Sequence, residues 1–206
     1  TDAETKGHLC LEKHDFLKEC LKLLNTRGMT QDMLADRAVK LIQEDKLITY
    51  DGSVFNSRTA RVEESLAYEI IKKVHGSVPD YPYLDEAISE EERKLRFRLA
   101  PEQREAVKMG LTSKFCVITG GPGTGKTSVQ RALLDLYRMK FPAAKIACCA
   151  PTGKAARRME QSTGVPSTTV HRALGLIANE DGHYGDPETL DADLVLVDEV
   201  SMLDVY

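Results

Sequence analysis

An α/β fold built on a parallel sheet, preceded by a small, mainly helical domain, is what this 206-residue sequence predicts. Three observations carry the prediction. From about residue 99, short apolar β-rich runs alternate with helical patterns. A glycine-rich loop stands between the first such run and the first such helix. Before residue 79 the order is helix, helix, tight hairpin, helix. The expected divisions are 1–78 for the N-terminal domain, 79–98 for a linker with a connecting helix, and 99–206 for the α/β domain.

In the N-terminal part, "HDFLKECLKLL" sets Phe16, Leu17, Cys20, Leu21 and Leu24 at helical spacing. In "GMTQDMLADRAVKLIQEDK", Thr30 is the expected N-cap, with Met33, Leu34, Ala38, Leu41 and Ile42 on one face. "LITYDGSVFNS" is two β-prone runs around Asp51-Gly52, a hairpin signal. "RVEESLAYEIIKKV" then reads as a further helix. This is the order of a winged helix, a fold that often binds DNA. Residues 1–78 nevertheless carry 12 basic against 13 acidic side chains, and phosphate neutralisation needs clustered positive charge. A packing or spacer role fits that balance better. Between the domains, a proline-rich stretch leads into the charge run "EERKLRFR", read as a solvated helix face with DNA contact as the alternative.

In the α/β part, "FCVITG", "KIACCA" and "DLVLVDE" are the expected strands, apolar enough to be covered on both faces. "KTSVQRALLDLYRMK" and "GKAARRMEQS" are the helices that alternate with them.

Composition bounds the function. At 42% hydrophobic and 29% charged, with net charge −4, the chain is globular and has no overall basic field. No apolar run approaches the length of a membrane span, no signal peptide opens the chain, and five cysteines without zinc-finger spacing suit a reducing compartment. A cytoplasmic protein without a membrane partner is expected. Cys116, Cys148 and Cys149 lie in apolar runs, where buried thiols are the plain reading.

"GGPGTGKT", residues 120–127, matches the phosphate-loop pattern in full. Gly121, Gly123 and Gly125 let the backbone curl so that successive amides face one anion, with Pro122, Thr124 and Ser128 completing the loop and first helical turn. The helix N-terminus adds partial positive charge. Lys126 is expected to reach the β- and γ-phosphates of ATP, and the Thr127 hydroxyl to bind Mg²⁺. Seventy-two residues after Lys126, the run Leu194–Val197 ends in Asp198-Glu199. That places carboxylates at the carboxyl edge of the sheet, Asp198 for Mg²⁺ and Glu199 for the attacking water. An acid dedicated to water points to hydrolysis rather than transfer. Gln103, seventeen residues before Gly120, has an amide that matches the N6 and N7 groups of adenine, and a plain surface glutamine is the other reading. Thr152, Gly153 and Lys154 at a strand end could hold a nucleic-acid phosphate, with His171 and Arg172 following.

In order, "LAPEQREAV", "GGPGTGKT", "APTGKAARRM", "STTVHRALG" and "LVLVDEVSMLD" resemble the early motifs of superfamily 1 DNA helicases. The closer resemblance is to the RecD/TraA-like, exodeoxyribonuclease V alpha-subunit-like branch, over roughly residues 95–206. The resemblance implies a RecA-like first motor domain of a 5′–3′ motor on single-stranded DNA, with recombination or repair proteins as further partners. It implies Gln103 at adenine, Lys126 and Thr127 on phosphate and Mg²⁺, Asp198 and Glu199 on metal and water, and Thr152 and His171 near the DNA. The later motifs and a second RecA-like half do not occur, and the first residue is Thr1, so a fragment cut after the acid pair is expected. Such a fragment would bind nucleotide at best and not unwind DNA, since an arginine finger contributes about 10³ to 10⁵ in rate. Two alternatives stand beside this: a self-contained AAA+-type regulator that forms rings, and a binding module with an inert ATPase fold.

Overall fold

The computed structural model describes residues 8–24, 28–76, 78, 80–176 and 185–204. Ser77 and Pro79 at the expected domain boundary, Gly7 of the N-terminal stretch and Val205-Tyr206 lie outside them. Two compact units emerge, residues 1–72 with 204–206, and residues 73–203. None of the described helices is long and apolar enough to cross a membrane.

The first unit opens with β1 (Cys10–Glu12), α1 (Lys13–Leu24) and α2 (Gln31–Gln43), then the hairpin of β2 (Leu47–Tyr50) and β3 (Ser53–Asn56), and α3 (Ser57–Val74). The strands form an antiparallel sheet in the order β1-β3-β2, with Leu11 opposite Val54 and Thr49 opposite Val54 on the other side. The hairpin turn places Asp51 and Gly52 at positive φ, 45° and 76°, the mirror-image geometry that two-residue hairpins favour. Thr30 caps α2, its hydroxyl accepting from the Met33 amide at 3.3 Å. Helix–helix–hairpin order with a small sheet is winged-helix-like. β1 was not foreseen; three residues are too short for a period to show. The apolar face expected for α2 is also narrower than its pattern. Leu34 is buried, whereas Met33 is 56% and Ile42 38% exposed, because they flank the stripe rather than lie on it.

In the second unit, α4 (Leu84–Leu95), α5 (Pro101–Thr112) and α6 (Lys126–Lys140) share one core, in which Ile88, Val107 and Leu136 are fully buried. Then come β4 (Ile146–Ala150), α7 (Gly153–Thr163), β5 (Ser167–Thr169), α8 (Val170–Ala173), β6 (Leu194–Val197) and a 3₁₀ turn at Val200–Met202. The sheet order is β5-β4-β6, all parallel, with Cys148 opposite Leu196 and Ala150 opposite Thr169. Strand–helix–strand crossovers of this kind give the α/β architecture its parallel sheet. Leu134 of α6, Cys148 and Met159 of α7 fill the layer beneath it.

The expected strand "FCVITG" is corrected. Residues 116–120 join no sheet among the described residues, and Val117 is 64% exposed. A strand is defined by a ladder, and β6 is paired on one side only, to β4. Apolar content asks for cover but does not supply a neighbour.

Candidate nucleotide-binding site

The loop 120–127 runs from this unpaired segment into α6. Gly123 and Gly125 hold φ of +76° and +80°, the left-handed region in which a side chain would be strained. Gly125 is the N-cap of α6, and its carbonyl accepts from the amides of Ser128 at 2.9 Å and Val129 at 3.1 Å. The Thr124 hydroxyl donates to the Gly121 carbonyl at 2.9 Å, closing the curl. The Lys126 ammonium folds back over the loop, donating to the carbonyls of Gly120 at 2.6 Å and Gly121 at 2.9 Å. A cation held against the loop by its own carbonyls is available to an anion that outbids them. Pro122 and Thr127 are exposed at the mouth and Ser128 is half-buried.

Gln103 makes its hydrogen bonds to the protein backbone. Pro101 occupies the first helical position of α5, where its missing N–H costs nothing. One turn on, Gln103 Oε1 accepts from the Ala100 amide at 2.8 Å, and Nε2 donates to the Thr124 carbonyl at 2.7 Å. The side chain therefore straps the start of α5 to the loop. A Cβ added at Gly125 would stand 2.4 Å from Nε2, so the strap and the glycine fit each other.

The acid pair follows β6. The Asp198 amide donates to the Cys149 carbonyl at 3.0 Å, extending the ladder one residue, and Asp198 Oδ1 accepts from the Glu199 amide at 2.9 Å. Glu199 holds φ 53°, a left-handed turn that swings its carboxylate to within 3.7 Å of Arg158 Nη1 on α7. Both acids are half-buried. Arg158 was assigned no role from sequence. Its residue type gave no signal, since the partner lies forty-one positions on in the chain. No hydrogen bond joins the loop to either acid among the described residues.

Thr152 and Thr169 both act as helix N-caps, accepting from the amides of Ala155 and Arg172 at 3.2 Å each. Lys154 and His171 are exposed. Because β4, β5 and β6 are parallel and in register, Thr152, Thr169 and Asp198 come off the same carboxyl edge. Ligands of open α/β sheets bind at that edge. Cys148 and Cys149 point to opposite sides of β4, and burial pushes the Cys148 thiol up to about 11, as expected of an inert core thiol.

A glycine loop opening a helix, beside a parallel sheet whose carboxyl edge carries an acid pair, defines the P-loop nucleotide-binding class. The chain belongs to the AAA domain family, which matches residues 103–206. Among reviewed proteins it is similar to the ATP-dependent RecD2 DNA helicase of Deinococcus radiodurans, 33% identical over 166 residues, 79% of this chain and 22% of that protein. It is likewise similar to the RecBCD enzyme subunit RecD of Haemophilus influenzae, 33% identical over 67% of this chain and 26% of that one. The ATP-dependent DNA helicase PIF1 of Trypanosoma brucei is 33% identical over 51% of this chain. The chain thus spans about a quarter of the length of the RecD-type relatives.

Proposed function

We propose that this chain is the nucleotide-binding portion of an ATP-dependent DNA helicase of the RecD type. The observation that carries the reading is the phosphate loop with Lys126 folded over it, in a chain similar to RecD-type helicases over 79% of its length. On it, Lys126 exchanges its two carbonyl partners for the β- and γ-phosphate oxygens of ATP, and the amides of Gly123 to Thr127 supply the remaining donors. Gln103 holds the loop from behind. Glu199 orients the attacking water once its carboxylate turns from Arg158.

The oxygen donors of Thr127 and Asp198 suit Mg²⁺, which takes one or two protein oxygens and completes its shell with phosphate and water. When bound, Mg²⁺ neutralises charge on the transferring phosphoryl. Single-stranded DNA is the macromolecular substrate, with 5′–3′ translocation and recombination or repair proteins as partners in a cytoplasmic setting. To Thr152, Lys154 and His171, at the sheet's carboxyl edge or on the helices leaving it, the reading assigns contact with the strand.

The test is binding of a fluorescent ATP analogue to the chain. Lys126→Ala removes a charge-assisted donor worth about 3 kcal/mol, so affinity is expected to fall about 10²-fold. Equal binding by wild type and variant would refute the assignment. A second reading, the ring-forming regulator, predicts ATP-driven assembly in gel filtration; the helicase similarities favour the first.

A further inference from the structure

Beyond the C-terminal end of α4 the chain turns through Arg96, Phe97, Arg98 and Leu99 before α5 begins, and this turn walls a cavity of about 750 Å³. Four arginines and one glutamate, Glu92, face it with Phe97. The arginines are not equivalent. Arg93 lies in the last turn of α4, where a cation complements the helix dipole, and it donates to Glu90 at 2.6 Å. Arg104 donates to Glu92 at 2.8 Å and lies 3.4 Å from Asp85. The fold accounts for both.

Arg96 and Arg98 are exposed, and their side chains have no hydrogen-bond or ion-pair partner among the described residues. Arg96 also holds φ 55°, the helix-ending position glycine fills most easily. Phe97 packs against the core shared by α4, α5 and α6, which fixes the turn and leaves the two flanking guanidiniums outward at the cavity rim. In a chain of net charge −4, this is an uncompensated positive site. Guanidinium forks match phosphate oxygens in planar, bidentate fashion.

We propose that Arg96 and Arg98 grip phosphate groups of a single-stranded DNA backbone, through residues other than those of the phosphate loop and of the sheet's carboxyl edge. The contact is sequence-independent, because the phosphate oxygens it grips are common to every nucleotide. The proposal rests on the DNA-motor reading above. Phosphate could also come from a free nucleotide, so the test carries an arm for each source.

Anisotropy of a labelled oligothymidylate is measured across a salt series with the wild-type chain, with Arg96→Ala/Arg98→Ala, and with Arg96→Lys/Arg98→Lys. Each lost phosphate contact on single strands removes about 0.7 from the log–log salt slope. Two contacts lower it by about 1.4, which weakens binding roughly 25-fold at about 0.1 M salt. The lysine pair keeps the charge but not the fork, so it is expected to hold the slope and to lose less affinity than the alanine pair, which separates charge loss from misfolding. Binding of the fluorescent ATP analogue is expected to be unchanged in both variants. Oligonucleotide affinity and slope that do not move in the alanine pair overturn the site while leaving the motor reading intact. A fall in nucleotide binding alone overturns the DNA assignment. A wild-type chain that binds no oligonucleotide overturns the site together with DNA binding by this chain.

Discussion

Gln103→Ala separates two roles that the same side chain could play. Its amide makes two bonds, accepting from the Ala100 amide at 2.8 Å and donating to the Thr124 carbonyl at 2.7 Å. Each contributes about 1 kcal/mol net. The first ties down the N-terminus of α5, so its loss belongs to stability and lowers the melting temperature by about 2–4 °C in a chain of this size. The second holds the loop. If it keeps the loop in its phosphate-gripping shape, losing about 1 kcal/mol weakens ligand binding about fivefold. That factor applies to every ligand that uses the loop. ATP, GTP and tripolyphosphate should all weaken alike in a calorimetric titration of wild type and variant. An adenine-reading glutamine predicts another pattern: ATP weakens, GTP and tripolyphosphate hold, and the preference for ATP collapses. That outcome would refute the strap. Gly125→Ala offers a cross-check, because its Cβ meets Nε2 at 2.4 Å while the backbone is already strained at φ +80°. With the glutamine gone the clash disappears and the strain remains, so the double variant should lose less than the two singles together.

Two further outcomes test the fold around the site. Burial raises the Cys148 thiol to about 11 from an ordinary value of 9.0, so its contribution is intact below pH 9. Above that, the unfolded chain ionises first, and stability falls by up to about 1.4 kcal/mol per pH unit until about pH 11. Urea unfolding of wild type and Cys148→Ala at pH 8 and pH 10 should show a shallower decline in the variant, and parallel declines would contradict the assignment. Ile88→Ala, at a fully buried position of α4 against Leu99, Val107 and Leu136, is expected to cost about 2–5 kcal/mol in urea unfolding. A cost below about 1 kcal/mol would mean that α4 is not part of the second unit's core.

The parts of the structure legible in the sequence were those written in consecutive residues. The phosphate loop is such a part: its left-handed glycines and the helix it opens are set within eight residues, "GGPGTGKT". So is the Thr30 cap, whose oxygen bonds an amide three residues on. The strand Leu194–Val197 was likewise readable, since an apolar run ending abruptly in acids describes both a buried strand and its exit. Gln103 shows where such reading stops. Its residue type suits adenine and a carbonyl equally, and the approach of residue 124, twenty-one positions later, is not announced by the residues around it. Arg158 is similar, because its partner Glu199 lies on another strand's end.

Residues 116–120 mark the limit from the opposite side. "FCVI" and "LVLV" make the same local statement, an apolar run of β-prone residues. Yet Leu194–Val197 pairs in parallel with Ile146–Cys149, whereas 116–120 pairs with nothing among the described residues. Hydrophobicity records a demand for cover, and hydrogen-bonding geometry decides whether a neighbour meets it. The exposures show that demand unmet: Val117 is 64% exposed, and Val195 on the one-sided β6 is 47% exposed. The loop therefore owes its shape in this chain to side-chain bonds, namely those of the Thr124 hydroxyl, the Lys126 ammonium and the Gln103 amide, and not to a sheet beneath it. That is why losing one strap should be felt in phosphate binding at all. In a loop already clamped by a paired strand, a single bond of about 1 kcal/mol would be absorbed, and the affinity of Gln103→Ala would stay within twofold of wild type.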